Sequence, residues 1–234
     1  MNSTTQTQRE PEGHIPRKPL ELHAAIRWRQ YEAEMRVNTL RLVTVGLFFI
    51  IHLVHYYSAN DQFPWLAFLQ MSDGVTIDKN SHYGITAIVV AWVMWAAIVH
   101  TCLTGRIFPL WLPYLSVGFD TLFLTAMLVL GRGAVSPIVV GYFLIIMMAG
   151  LRLDLRLVWF ATISTVCGYL YVLGCTRWPL GILMEHPLPT VPRYHQIMIV
   201  CAMTLSGVII GQIIRHLRCV IHDVATVPNG SVAS

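Results

Sequence analysis

Six long apolar runs, at about 38–57, 83–103, 111–130, 134–151, 157–174 and 194–214, constrain this chain more than any motif does. A helix rises about 1.5 Å per residue, so about 20 residues cross the roughly 30 Å hydrocarbon core of a bilayer. Inside lipid every backbone amide and carbonyl must be paired within the protein, which leaves helices and closed barrels as spanning structures. None of the six runs alternates apolar and polar residues as a barrel strand does. Charged residues make up 12% of the 234, about half the share usual for a soluble domain, against 55% hydrophobic. The sequence therefore predicts an all-α integral membrane protein, a six-transmembrane-helix bundle.

Orientation follows from arginine and lysine, which collect on the cytoplasmic side of bilayers. With the N-terminus inside, twelve fall on the inner side (Arg9, Arg17, Lys18, Arg27, Arg29, Arg36, Arg41, Arg106, Arg152, Arg156, Arg215, Arg218) and four on the other (Lys79, Arg132, Arg177, Arg193). Both termini are thus expected in the cytoplasm.

Residues 1–19 are polar, proline-containing and aperiodic, and read as a disordered cytoplasmic tail without the features of a cleaved signal peptide. Residues 20–37 mix Leu20, Leu22, Ile26 and Met35 with good helix formers and predict an amphipathic juxtamembrane helix feeding the first span. Pro64, Trp65 and Phe68 suit an outer loop over 58–82 that lies at the interface, and the prolines of 175–193 suit a stiff outer cap. The remaining turns, 104–110, 131–133 and 152–156, are short, and 219–234 reads as a short cytoplasmic tail.

Asp120 is the one clear acid within a span, and an acid at that depth is costly unless paired, protonated or wetted. Arg41 enters from the same side as a partner, with Ser164, Thr165 and Tyr169 as further donors, and Gln212 is a polar residue of the sixth span. A structural pair and a proton or cation site both remain open for Asp120. His52, His55, His82 and His195 belong near the outer leaflet, His100 and His216 near the inner one. Facing histidines at matched depth permit a b-type haem, while interfacial hydrogen bonding is the plainer role. No metal site is indicated otherwise: the five cysteines show no CxxC spacing and no span carries HExxH. Gly207 and Gly211 form a GxxxG that allows close helix approach, inside the bundle or between copies. Gly141 and Gly150, nine residues apart, point to opposite faces. Scattered basic residues offer no stripe for nucleic acid, and no catalytic constellation is visible.

The boundary segments Phe108-Pro109-Leu110-Trp111-Leu112-Pro113-Tyr114, Arg152-Leu153-Asp154-Leu155-Arg156-Leu157-Val158-Trp159-Phe160, Val191-Pro192-Arg193-Tyr194-His195-Gln196 and Gly211-Gln212-Ile213-Ile214-Arg215-His216-Leu217-Arg218, with Asp120, carry a family likeness. Over about 36–218 the chain resembles the six-helix membrane regions ahead of class III nucleotide cyclase, or kinase, output domains in multidomain bacterial signalling proteins, planctomycetes included. The resemblance implies a membrane sensor or anchor, usually dimeric, whose last helix passes a signal inward. It also implies that Asp120, Arg152, Arg156, Arg193, His195 and Gln212 shape the bundle and its dimer contact. The sequence departs from that plan after Arg218, where 219–234 holds no output domain: either the output protein is a separate partner, or the chain is a stand-alone relative repurposed for assembly, or it is a truncated product, and no catalysis carries over.

The leading expectation is a non-enzymatic membrane sensor, anchor or assembly subunit, in a homodimer or membrane-protein complex, with Arg152, Asp154 and Arg156 as a coupling turn. The alternatives are a small ion or solute transporter or channel using Asp120, and a b-haem electron carrier.

Overall fold

A computed structural model of the chain describes residues 18–59, 79–105, 109, 111–131, 133–178 and 191–226, with the side chains of 18–30, 58–59 and 222–226 excepted. The expectations for the tails at 1–17 and 227–234, and for most of the loops at 58–82 and 175–193, lie outside these residues. Among the described residues the regular structure is helical, with no strand.

The helices are α1 (Lys18–Ala59), α2 (Lys79–Thr104), α3 (Leu112–Leu130), α4 (Val140–Gly150), α5 (Leu155–Arg177) and α6 (Arg193–Thr226). They run alternately up and down. Tyr31 and Met35 of α1, Val99 and Leu103 of α2 and Leu112 of α3 pack together at one end. At the other end His52 of α1 meets His82 of α2, and Gly84 of α2 lies against Leu130 of α3. The turn between α4 and α5 returns to the first end, because Arg152 bonds Glu34 of α1 and Arg218 of α6 bonds the Leu153 carbonyl. The beginning of α1 and the end of α6 therefore share one end of the bundle.

Length separates these two helices from the rest. The 42 residues of α1 make it about 63 Å long and the 34 of α6 about 51 Å, both well beyond the bilayer core. The expected juxtamembrane helix at 20–37 runs without a break into the first span, and the two form one helix.

The fourth span departs from expectation. In place of a helix over 134–151, two 3-10 turns (Gly133–Val135 and Pro137–Val139) lead into an α4 of 11 residues. Pro137 offers no backbone N–H and holds Ser136 extended (ψ 136°), so regular helix cannot extend back past this point. Pro137–Gly150 spans only about 22 Å. Among the described residues five helices are long and apolar enough to cross a membrane, and Pro137–Gly150 is a shorter apolar segment packed among them.

Small residues set the helix spacing. A methyl group at Gly141 would fall 2.9 Å from Leu124 of α3, and one at Gly150 would fall 2.6 Å from Ile210 of α6. One at Gly168 of α5 would lie 2.7 Å from the Thr125 hydroxyl of α3. Gly207 of α6 packs so closely on Thr162 of α5 that a side chain would collide with it, and Gly211 lies over Leu155. The GxxxG face of α6 is thus turned toward α5 of the same chain.

Around this core the outward faces are apolar. Val43 and Ile50 of α1, Met94 of α2, Leu122 of α3, Ile163 of α5 and Ile197 of α6 are each more than half exposed. An apolar surface this extensive is untenable in water and ordinary against lipid tails.

Candidate functional site

Glu34, Asn38 and Arg41 follow one another at i, i+4 and i+7, so they stand in one stripe along α1, and all three are buried. Ser116 and Asp120 make the matching stripe on α3, with Asp120 about 12 Å in from the helix start. The Arg41 guanidinium bridges the stripes. Its Nε lies 2.7 Å from Asp120 Oδ1 and 3.0 Å from Oδ2. One of its terminal nitrogens donates to Asn38 Oδ1 at 2.9 Å and the other to the Ser116 hydroxyl. Trp92 of α2 donates its indole N–H to Asp120 Oδ1 at 2.8 Å. Asn38 donates in turn to the Ala96 carbonyl of α2 at 3.2 Å.

A second pair lies nearer the end of the bundle. Arg152, in the turn between α4 and α5, donates to Glu34 at 2.7 Å and to the Pro113 carbonyl at 3.1 Å. The side chains of both Arg152 and Glu34 are about 95% buried. Burial pulls the Arg152 guanidinium below its usual range and Glu34 beside it works in the opposite direction, so each charge depends on the other. Leu153, the next residue, adopts a left-handed conformation (φ 54°) that an L side chain rarely takes. Its carbonyl accepts from Arg218 of α6 at 2.6 Å.

The four charges cancel. Two guanidiniums and two carboxylates are held by hydrogen bonds from α1, α2, α3 and the turn, and an apolar cleft of about 10 Å³ beside Arg41 and Trp92 leaves little room for water or a solute. An arrangement of this kind can fix helix positions. Once buried charges are paired, their removal one at a time is costly.

The structure sorts the expected residues. It joins Asp120 to Arg41 and leaves Gln212 exposed on α6, away from them. Ser164, Thr165 and Tyr169 do not supply Asp120: Thr165 bonds the carbonyls of Ala161 and Thr162 on its own helix. The reason is rotational, because Asp120 faces α1 and α2 while the next residue, Thr121, turns toward Gly168 of α5. Asp154 caps α5 by accepting the Arg156 backbone N–H at 3.0 Å, and the Arg156 side chain is exposed.

Of the outer histidines, His52 and His82 come together, ring nitrogens 3.2 Å apart, with Tyr56 stacked on His82 at 3.8 Å between centroids. His195 stands exposed at the start of α6 with its ring against Tyr194, and His100 and His216 are exposed. His55 lies three residues from His52 on α1, half-buried. Among the described residues no three His, Cys, Asp or Glu side chains gather as a metal site. Glu34, Asn38, Trp92 and Ser116 were not anticipated. For the first two the signal was their spacing from Arg41.

Five membrane-length helices with apolar outer faces, closed on a neutral buried charge cluster, define a multi-pass helical membrane protein. No family model, no curated protein and no solved structure matches the chain.

Proposed function

We propose that this chain is a non-enzymatic membrane sensor, anchor or assembly subunit that couples to a partner through the protruding ends of α1 and α6. In this reading the chain crosses a bacterial inner membrane six times, the short α4 segment counting as one pass, with both termini in the cytoplasm. It works in a dimer or a larger membrane complex alongside a separate cytoplasmic output protein, the role its resemblance to cyclase-associated and kinase-associated membrane regions implies. One observation carries the proposal. The turn at Arg152-Leu153 holds Glu34 of α1 and Arg218 of α6 together, and these are the two longest helices of the bundle. A shift of one terminal helix then has a direct mechanical route to the other.

The test is affinity purification in mild detergent of the full chain and of versions lacking 1–30 or 219–234, both of which keep Glu34, Arg152 and Arg218. The proposal expects normal membrane insertion and loss of the co-purifying partner from each truncated form. Undiminished partner recovery from both would overturn it.

A further inference from the structure

The exposed arginines at the foot of α5 and α6 are arranged rather than scattered. On α6, Gly207 meets Thr162 of α5, Gly211 meets Leu155 and Arg218 reaches the Leu153 carbonyl. These contacts trace one stripe of α6 running down the beginning of α5. Buried Ile214 continues that stripe, and Arg215 stands exposed at its edge, four residues after Gly211 and three before Arg218. Arg156 stands on the first turn of α5 beside Leu155, with Trp159 and Phe160 exposed on the next turn.

The three guanidinium side chains are exposed, and among the described residues those of Arg156 and Arg215 have no protein acceptor. Arg218 uses one nitrogen on Leu153 and keeps its remaining N–H groups. Asp154, the neighbouring acid, accepts the Arg156 backbone N–H through Oδ1 and offsets one of the three positive charges. Two aromatic rings beside a basic group mark the depth at which lipid headgroups meet the acyl region. Guanidinium groups bind phosphate oxygens through paired N–H donors.

We propose that the foot of α5 and α6 binds the phosphodiester headgroup of an anionic phospholipid through Arg156, Arg215 and Arg218. The lipid neutralises a face on which three cations stand close to the membrane plane, and it does so next to the turn that holds α1 and α6. The proposal depends on the chain being a membrane protein and not on its having a signalling partner.

Native mass spectrometry of the full chain, partly delipidated in a phosphatidylglycerol and phosphatidylcholine mixture of matched acyl chains, reads the preference directly. Wild-type protein retains phosphatidylglycerol preferentially. Arg156→Gln with Arg215→Gln lowers that preference by up to about 30-fold, on the order of fivefold for each arginine. Neither side chain bonds another described residue, so the variant folds, and an unchanged melting curve checks this. Arg156→Lys with Arg215→Lys keeps most of the preference. Equal retention of both lipids by wild type, or full preference in the glutamine variant, overturns the proposal. So does displacement of the lipid by millimolar inorganic phosphate, which would assign the site to a soluble anion.

Discussion

Asp120 and Arg41 sit where an unpaired charge could not persist, and their contacts explain how both do. The carboxylate takes two short contacts from Arg41 and one N–H from Trp92, while the terminal guanidinium nitrogens donate to Asn38 and Ser116. Removing one partner strands the other. Arg41→Met alone is therefore expected to destabilise the protein by on the order of 3–5 kcal/mol, and Arg41→Met with Asp120→Leu is expected to recover much of that loss. Reversible unfolding in mixed micelles measures both, and equal losses in the single and double variants would mean that the two charges are not coupled. The pair itself was legible, since an arginine and an acid inside apolar runs stand out. Trp92 and Ser116 were not, because which face of α2 or α3 turns inward depends on helix rotation, which apolar residues all round a span leave unspecified. Glu34 was hidden differently: among the charges of 20–37 it reads as the polar side of an interfacial helix.

The helices were legible by length and poorly legible at their ends. Apolar runs mark where lipid begins, but helix continues wherever its hydrogen bonds are kept, so α1 and α6 run on past their spans as single rods. Pro137 lies near the start of the apolar run at 134–151, where a missing N–H costs little, yet together with the extended Ser136 it shortens the fourth helix to 11 residues. Packing between helices rests on small residues whose partners sequence alone does not name. Gly207 belongs to a recognisable GxxxG, but its contact with Thr162 emerges only when α5 and α6 are brought together. Gly207→Ala is accordingly expected to lower stability by about 1–3 kcal/mol through overpacking. Gly46→Ala, at a helical position with nothing within 4 Å, is expected to gain about 0.5–1 kcal/mol from helix propensity. Thermal unfolding of the two variants in one detergent makes the comparison, and equal effects would remove Gly207 from the α5–α6 contact.

Across the whole molecule the polar groups are distributed by depth. The end that holds the start of α1 and the close of α6 carries the buried pairs and exposed Arg156, Arg215 and Arg218, and the opposite end carries exposed Lys79, Arg177 and Arg193 with the His52–His82 contact. Between them the surface is apolar. The connections between α1 and α6 are concentrated at the Arg152-Leu153 turn of the first end. In the proposed coupling, the Arg152 pair with Glu34 governs whether α1 and α6 move as one body. Nitroxide labels at positions 30 and 222 of a cysteine-free background, read by double electron–electron resonance in lipid nanodiscs, test this most directly. The account predicts one narrow distance distribution in the wild-type background, broadened or shifted in Arg152→Gln. A distribution of the same centre and width in Arg152→Gln would contradict it.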